Sequence, residues 1–287
     1  MREDHRVGLE YLTTVTTLLQ RVRGVHPTAG LYEAADLQWW WRTPRATDDL
    51  AQLFWLDDAG RPEAAAIAVD WAGRVSLVPV VMPDVSPDVV ALVVDRGLAH
   101  LRASGFEAVD VDTDRADAVL RDALTGHGFT VEGDEIVETW LATDARPAIS
   151  PLADGYRLRT RVDTAPRPHH LAGRGGPGVE ARLRQTSLYR ADLDLVVVDE
   201  QDDAVAYGLF WFDPVTGTGL VEPMRTEDAH QRRGFARHIL TTGVDRLAAA
   251  GATRIKICYE PDNPASGPLY RGVGFEPERR TVVLSRA

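Results

Sequence analysis

The chain matches itself. Gly105 to the pair Gly128-Phe129 spans 23 residues, Gly251 to Gly274-Phe275 spans the same 23, and the offset between the two is 146. At that offset "ASGFEAVDVDTD" lies over "AAGATRIKICYE". Each copy reads as a helix with a glycine stop, a strand, a second short helix and another glycine stop. This restricts the fold to two copies of one α/β unit in tandem. A length of 287 residues agrees with two domains of roughly 100–200 residues each. The Pro-, Ala- and Asp-rich stretch "TDARPAISPLADG", Thr143 to Gly155, has no apolar period and reads as the linker. The expected domains are residues 1–145 and 154–287.

Within the first copy a helix is expected over Val7–Val25. Strands follow at "AQLFWLDD", "AAAIAVDW" and "RVSLVPVVM", then a helix at "SPDVVALVVDRGLAHLRASG" with Ser86 as N-cap and Pro87 at N1. The second copy repeats the order with strands at "LDLVVVDE", "AVAYGLFWFD" and "TGLVEPMRT", a helix at "GFARHILTTGVDRLAAAG" and a strand at "ATRIKICYE".

A formal net charge of −11 argues against nonspecific nucleic-acid binding. No apolar run reaches the ~20 residues of a membrane helix, and the charged "MREDHRVGLEYL" lacks a signal-peptide core. A cytoplasmic, non-membrane protein is the expectation. Cys258 is the single cysteine, which excludes an intrachain disulfide and cysteine-only zinc sites; it reads as a buried strand residue. No metal is expected. The basic residues are 31 Arg and one Lys, Lys256, read here as compositional bias.

Chemistry concentrates in "MRTEDAHQRRGFARHIL", Met224 to Leu240. Gln231-Arg232-Arg233-Gly234-Phe235-Ala236 stands at the mouth of a helix, where unpaired N–H groups and the positive dipole end favour an anion, phosphate above all. Gly234 permits close backbone approach and Ala236 keeps the next turn small. Pro223 lies inside the preceding strand, which must therefore be an edge, bulged or splayed there, leaving amide groups for an extended ligand. Asn263, Ser266, Leu269-Tyr270 and Gly274-Phe275 follow in order.

That order resembles the GNAT superfamily, the Gcn5-related N-acetyltransferases. The family loop Gln/Arg-x-x-Gly-x-Gly/Ala is matched by Gln231, Gly234 and Ala236. The later pattern Asn-x-x-Ala/Ser…Leu-Tyr…Gly-Phe is matched by Asn263, Ser266, Leu269-Tyr270 and Gly274-Phe275. The resemblance implies the α/β (α+β) class, with two tandem GNAT folds, each a mixed central sheet flanked by helices. It implies acetyl-CoA as co-substrate, with the backbone of Gln231, Arg232, Arg233, Gly234, Phe235 and Ala236 on the pyrophosphate. Met224, Arg225 and Thr226 would pair with the pantetheine arm, and the Met224 N–H would polarise the thioester carbonyl. Asn263 and Ser266 would lie on the cofactor side. Tyr270 would be the general acid near sulfur, its alternative being a packed aromatic.

Glu222, two residues before Met224, falls on the same face by strand alternation and is the candidate base, or else an acceptor-binding or structural carboxylate. Glu260 is the next candidate. Asp228 reads as a turn or capping residue, His230 and His238 as exposed or stacking, and Phe275 as core. At the 146 offset, Gln231, Gly234, Ala236, Asn263 and Tyr270 fall on Val85, Asp88, Val90, Asp117 and Leu124. An aspartate at the glycine position would repel pyrophosphate, so the first copy is expected to lack an acetyl-CoA site. Trp39, Trp40 and Trp41 are candidates for an aromatic acceptor surface, or else two are core, and the insert Ala172–Gly178 for a flexible lid. The expected reaction is acetyl transfer to a primary amine of a small polar molecule. A CoA-binding module without turnover and a protein acetyltransferase are the alternatives.

Overall fold

The computed structural model describes residues 1–286. By contact the chain divides into two compact units: Met1–Leu37, Pro44–Ile136 and the stretch from Arg279 onward in one, Gln38–Thr43 and Val137–Glu278 in the other.

The N-terminal unit begins with a strand the sequence reading treats only as a charged terminus, β1 (Arg2–Arg6). Then come α1 (Gly8–Val25), α2 (Ala34–Trp40), β2 (Gln52–Leu56), β3 (Pro62–Asp70), β4 (Val75–Val81), α3 (Pro87–Ala103), β5 (Val109–Asp114), α4 (Ala118–Gly126) and the start of β6 (Thr130–Ala142). The C-terminal unit holds the rest of β6, then β7 (Arg157–Thr160), α5 (Ala172–Gly175), α6 (Val179–Leu183), β8 (Asp194–Val198), β9 (Ala204–Asp213), β10 (Thr218–Thr226), α7 (Phe235–Ala250), β11 (Arg254–Tyr259) and α8 (Ser266–Val273). The last strand is β12 (Glu276–Arg286). No helix among the described residues is long and apolar enough to cross a membrane.

The sheet of the first unit runs β1-β2-β3-β4-β5-β12 and that of the second β7-β8-β9-β10-β11-β6. Both are mixed: β4–β5 and β10–β11 are parallel, while the other ladders described here are antiparallel. The expected boundaries of 1–145 and 154–287 need correction. Thr281 to Arg286 ladder with Asp114 to Val109 of β5, whereas Val137 to Ala142 ladder with Tyr259 to Arg254 of β11. Each sheet is completed by a strand that the linear boundary assigns to the other half. Ladder hydrogen bonds, which sequence composition does not encode, decide membership.

Each sheet packs its helix side into its own core. In the second unit Leu240, Val244 and Leu247 of α7 meet Phe210, Ile255 and Ile257. Gly243 lies face-on to Phe210: a Cβ there would stand 2.1 Å from the ring. Gly243→Ala should therefore destabilise by about 1–3 kcal/mol through overpacking, read as a lowered urea midpoint with unchanged m.

The tryptophan run belongs to the C-terminal unit. Trp39 and Trp41 are buried, which removes them as an aromatic acceptor surface. The Trp41 indole N–H donates to Gln185 Oε1 at 2.9 Å, and Gln38 bonds to Ser187 Oγ and the Leu188 N–H, both at 2.9 Å. Arg42 and Arg182 cover the faces of Trp39 and Trp41 at 3.5 and 3.9 Å.

Candidate active site

Strand β10 carries the site because it is not regular. Val221 pairs with Phe210 and Met224 with Gly208, so Glu222 and Pro223 together oppose Leu209 alone. This is a bulge, and the Glu222–Pro223 peptide in it is cis. Val221 and Met224 both pack on the α7-side core, so the inference that alternation puts Glu222 on the Met224 face is corrected. Trp211 Nε1 donates to the Glu222 carbonyl at 2.8 Å and pins the bulge. On its other side β10 pairs with β11 only over Thr218–Leu220 and Arg254–Lys256 among the described residues. Beyond Leu220 the strands part, beside Met224, Arg225 and Thr226.

The connection to α7 is a nest of backbone amides. Arg232 (φ 64°) and Gly234 (φ 84°) are both left-handed, and Gly234 is the N-cap of α7. Left-handed residues turn successive N–H groups inward, and the first N–H groups of a helix have no intrahelical partner. Space beside the Gly234 Cα is open. Gln231 is tied back by its side chain to Asp228 Oδ1 at 3.2 Å, which gives Asp228 the expected turn role. Arg233 donates to the Tyr156 hydroxyl at 2.7 Å, while Arg232 is exposed. The Phe235 ring is core, 1% exposed, so only its backbone is available to a ligand. Arg225 reaches Glu227 and Asp228 at 3.4 Å each. His230 lies edge-on to Tyr156, and His238 Nδ1 is 2.6 Å from the Ser150 carbonyl.

Asn263 accepts the N–H groups of Ala265 and Ser266 at 3.1 and 3.3 Å, and Ser266 Oγ donates to the Asn263 carbonyl. The two residues start α8, and α8 presents Tyr270. Tyr270 is 8% exposed, edge-on to Tyr259. Burial pushes its hydroxyl up to about 12, with the charges of Cys258 and Glu222 adding to it. The structure thus brings Glu222, Cys258 and Tyr270 into one electrostatic neighbourhood. Cys258 is exposed, contrary to the buried reading. It lies past Lys256, where the β10 ladder stops, so no neighbouring strand covers it on that side. Glu260 is exposed as well.

A family model for the acetyltransferase (GNAT) family matches residues 162–275. The match places a GNAT-family domain at those residues. Comparison with curated protein sequences finds no match. Among solved structures, a tandem GNAT protein from the clavulanic acid biosynthesis pathway aligns with a TM-score of 0.69 at 13% identity, covering 99% of this chain and 98% of that one. A GCN5-related N-acetyltransferase from Sphaerobacter thermophilus aligns at 0.64 and 16% identity, covering 99% and 95%. A GNAT-family acetyltransferase from Colwellia psychrerythraea gives 0.59 and 13%, covering both chains fully at 100%. The fold is therefore a tandem GNAT fold throughout.

The GNAT loop has no counterpart in the N-terminal unit. Val75 pairs with Val109 as Gly219 pairs with Ile255, so the strands correspond at an offset of 144, which sets Pro79 on Pro223. Between β4 and α3 stand residues 82–86, whereas between β10 and α7 stand 227–234. The ungapped offset of 146 does not run through this connection: Asp88 is in the first turn of α3 rather than in a loop.

The segment covering β8 and β9 holds residues the sequence reading passed over. Asp194, fully buried, lies 2.9 Å from His169 Nε2 and 3.1 Å from His170 Nε2, and accepts the Tyr189 hydroxyl at 2.8 Å. Burial by itself would raise the Asp194 carboxyl; the two imidazoles outweigh it and hold it below the usual range. The donor atoms of His169, His170 and Asp194 lie within 4.8 Å of one another, as a metal site requires. However, the Leu171 N–H donates to His169 Nδ1 at 3.1 Å. That fixes the ring proton on Nε2, where it faces Asp194 and leaves no lone pair for an ion. The adjacent "HH" and a strand-initial Asp were the available signal, without the third dimension that joins them.

The insert Ala172–Gly178 is partly helical. It contains α5 and leads into α6. Arg161, 3% exposed, ties the segment by donating to Thr164, Ala165 and Arg167 carbonyls and to Glu180.

Proposed function

We propose that the C-terminal domain transfers acetyl from acetyl-CoA to a primary amine of a small polar molecule by direct attack, and that the N-terminal copy holds no acetyl-CoA. The observation that carries this is the pairing of a left-handed N-cap glycine on α7 with a bulged β10 that parts from β11. One holds pyrophosphate, the other an amide-rich arm.

In this reading the pyrophosphate lies on the N–H groups from Gln231 to Ala236, with Arg232 and Arg233 adding charge. Pantetheine runs along Met224, Arg225 and Thr226, beside Asn263 and Ser266. Glu222, placed for this role by its charge coupling to Tyr270 and not by strand alternation, accepts the proton of the acceptor ammonium. The freed nitrogen lone pair attacks the thioester carbon, and the Met224 N–H stabilises the oxyanion. Collapse breaks the C–S bond as the nitrogen gives up its second proton, which the departing sulfur takes, so the products are the amide and CoA thiol. Tyr270 sits above an ordinary thiol, whose pKa is about 8.5, so it serves the departing sulfur chiefly as a hydrogen-bond donor and contributes modestly.

Tyr270→Phe should lower kcat by about 10²-fold with acetyl-CoA affinity unchanged. The hydroxyl at about 12 should add no limb to the pH–rate profile below pH 10. Glu222→Gln should lose rate most at neutral pH and recover as pH rises toward the acceptor pKa, where free amine no longer needs a base. Thiol release with a panel of small amines measures both. Cofactor binding with no thiol release for any amine would leave a CoA-binding module; turnover only on peptides would make the acceptor a protein.

A further inference from the structure

The N-terminal unit keeps the parted strands of a GNAT fold and a cavity between them. Strands β4 and β5 pair only at Val75–Val109 and Ser76–Asp110. Beyond that point a cavity of about 280 Å³ opens, between Pro79, Val80 and Val81 on one side and Asp112 and Asp114 on the other. Its remaining wall is largely apolar, from α1, α3 and α4, with Tyr32 and Arg279 at the polar end.

The charges in this cavity are opposite to those of a CoA site. Asp112, Asp114, Asp117 and Arg279 line it, three carboxylates against one guanidinium. The guanidinium is fully engaged: Nε meets Asp114 at 2.7 Å, Nη2 donates to the Thr28 carbonyl at 2.8 Å and Nη1 to that of Gly30. Asp117 is spent on the N-cap of α4, accepting the Leu120 N–H at 3.0 Å. Asp112 has a neutral partner, the Tyr32 hydroxyl at 3.0 Å. Burial raises its carboxyl and the neighbouring Asp110 charge adds to this, against the Tyr32 hydrogen bond. Cys258 is the residue matching Asp112 in the C-terminal unit, because Val109 pairs with Val75 as Ile255 pairs with Gly219. A carboxylate thus stands in an apolar cleft without a basic side chain to balance it, and a ligand ammonium would balance it.

We infer that this cleft is a binding site for a small amphiphilic amine, with the ammonium on Asp112 and the apolar body against Val80, Val90 and Leu120. The volume is near the lower end for small-molecule sites, roughly 300 Å³, and suits one ring with a short aminoalkyl arm. The site is separate from the proposed acetyl-transfer chemistry and does not depend on it.

The probe is 2-phenylethylamine, titrated into the full chain and followed by amide chemical shifts. Saturable shifts at Tyr32, Asp112 and Leu120, with 2-phenylethanol at least tenfold weaker, are expected. Asp112→Asn should weaken the amine at least tenfold and leave acetyl-CoA affinity unchanged. Equal affinity for amine and alcohol in the wild type overturns the inference, whatever the folding of the variant. So do shifts confined to β10, α7 and α8, or acetyl-CoA seated in the N-terminal cleft.

Discussion

Gly234→Asp is expected to weaken acetyl-CoA binding by about 10³-fold while the protein stays folded. Two unit charges 4 Å apart at an effective dielectric of 20 interact by about 4 kcal/mol, which is about three powers of ten in affinity. The substitution separates binding from folding. Aspartate is a favoured N-cap residue and tolerates the left-handed region better than most, and no atom lies within 4 Å of the added Cβ. Gly234→Ala carries the same backbone strain without the charge and should cost less than tenfold in affinity. Calorimetry on the three proteins measures this. One site per chain, lost in the aspartate variant, supports the single C-terminal cofactor site; two sites, or a site indifferent to the charge, would falsify it.

Lys256→Met is expected to destabilise by about 3–5 kcal/mol. Lys256 and Glu138 are each 2% exposed and 3.1 Å apart, and the Trp140 indole N–H donates to Glu138 at 2.8 Å. Removing the ammonium leaves a carboxylate in the interior. Adding Glu138→Leu should recover much of the lost stability, because an apolar replacement of a whole buried pair is often near neutral. Urea melts of the single and double variants decide; a double variant no more stable than Lys256→Met would point to lost packing instead of lost charge.

These two residues mark what sequence can and cannot convey. Gly234 was legible because its setting is local: a helix mouth and a left-handed turn lie within a few residues, and spacing records them. The placement of Asn263 at the start of α8 and of Tyr270 on it was legible for the same reason, through a short motif. Lys256 was not. As the chain's one lysine it looked like compositional bias, and its partner Glu138 is 118 positions away in a strand the linear boundary gave to the other domain. Glu222 shows the same limit at short range: alternation predicts its face until a bulge between the Val221–Phe210 and Met224–Gly208 pairs breaks the count.

The sequence alone thus determined the duplication, the α/β class and the glycine at the mouth of α7, because periodicity, glycine stops and helix mouths are properties of neighbours along the chain. Tertiary structure decided which strand completes each sheet, which tryptophans are buried and that His169, His170 and Asp194 meet. It also decided that the first copy's cleft stays open with an unbalanced carboxylate. Those outcomes rest on ladder hydrogen bonds and burial between residues far apart in sequence, where the free energy of a contact depends on neighbours that no local pattern names.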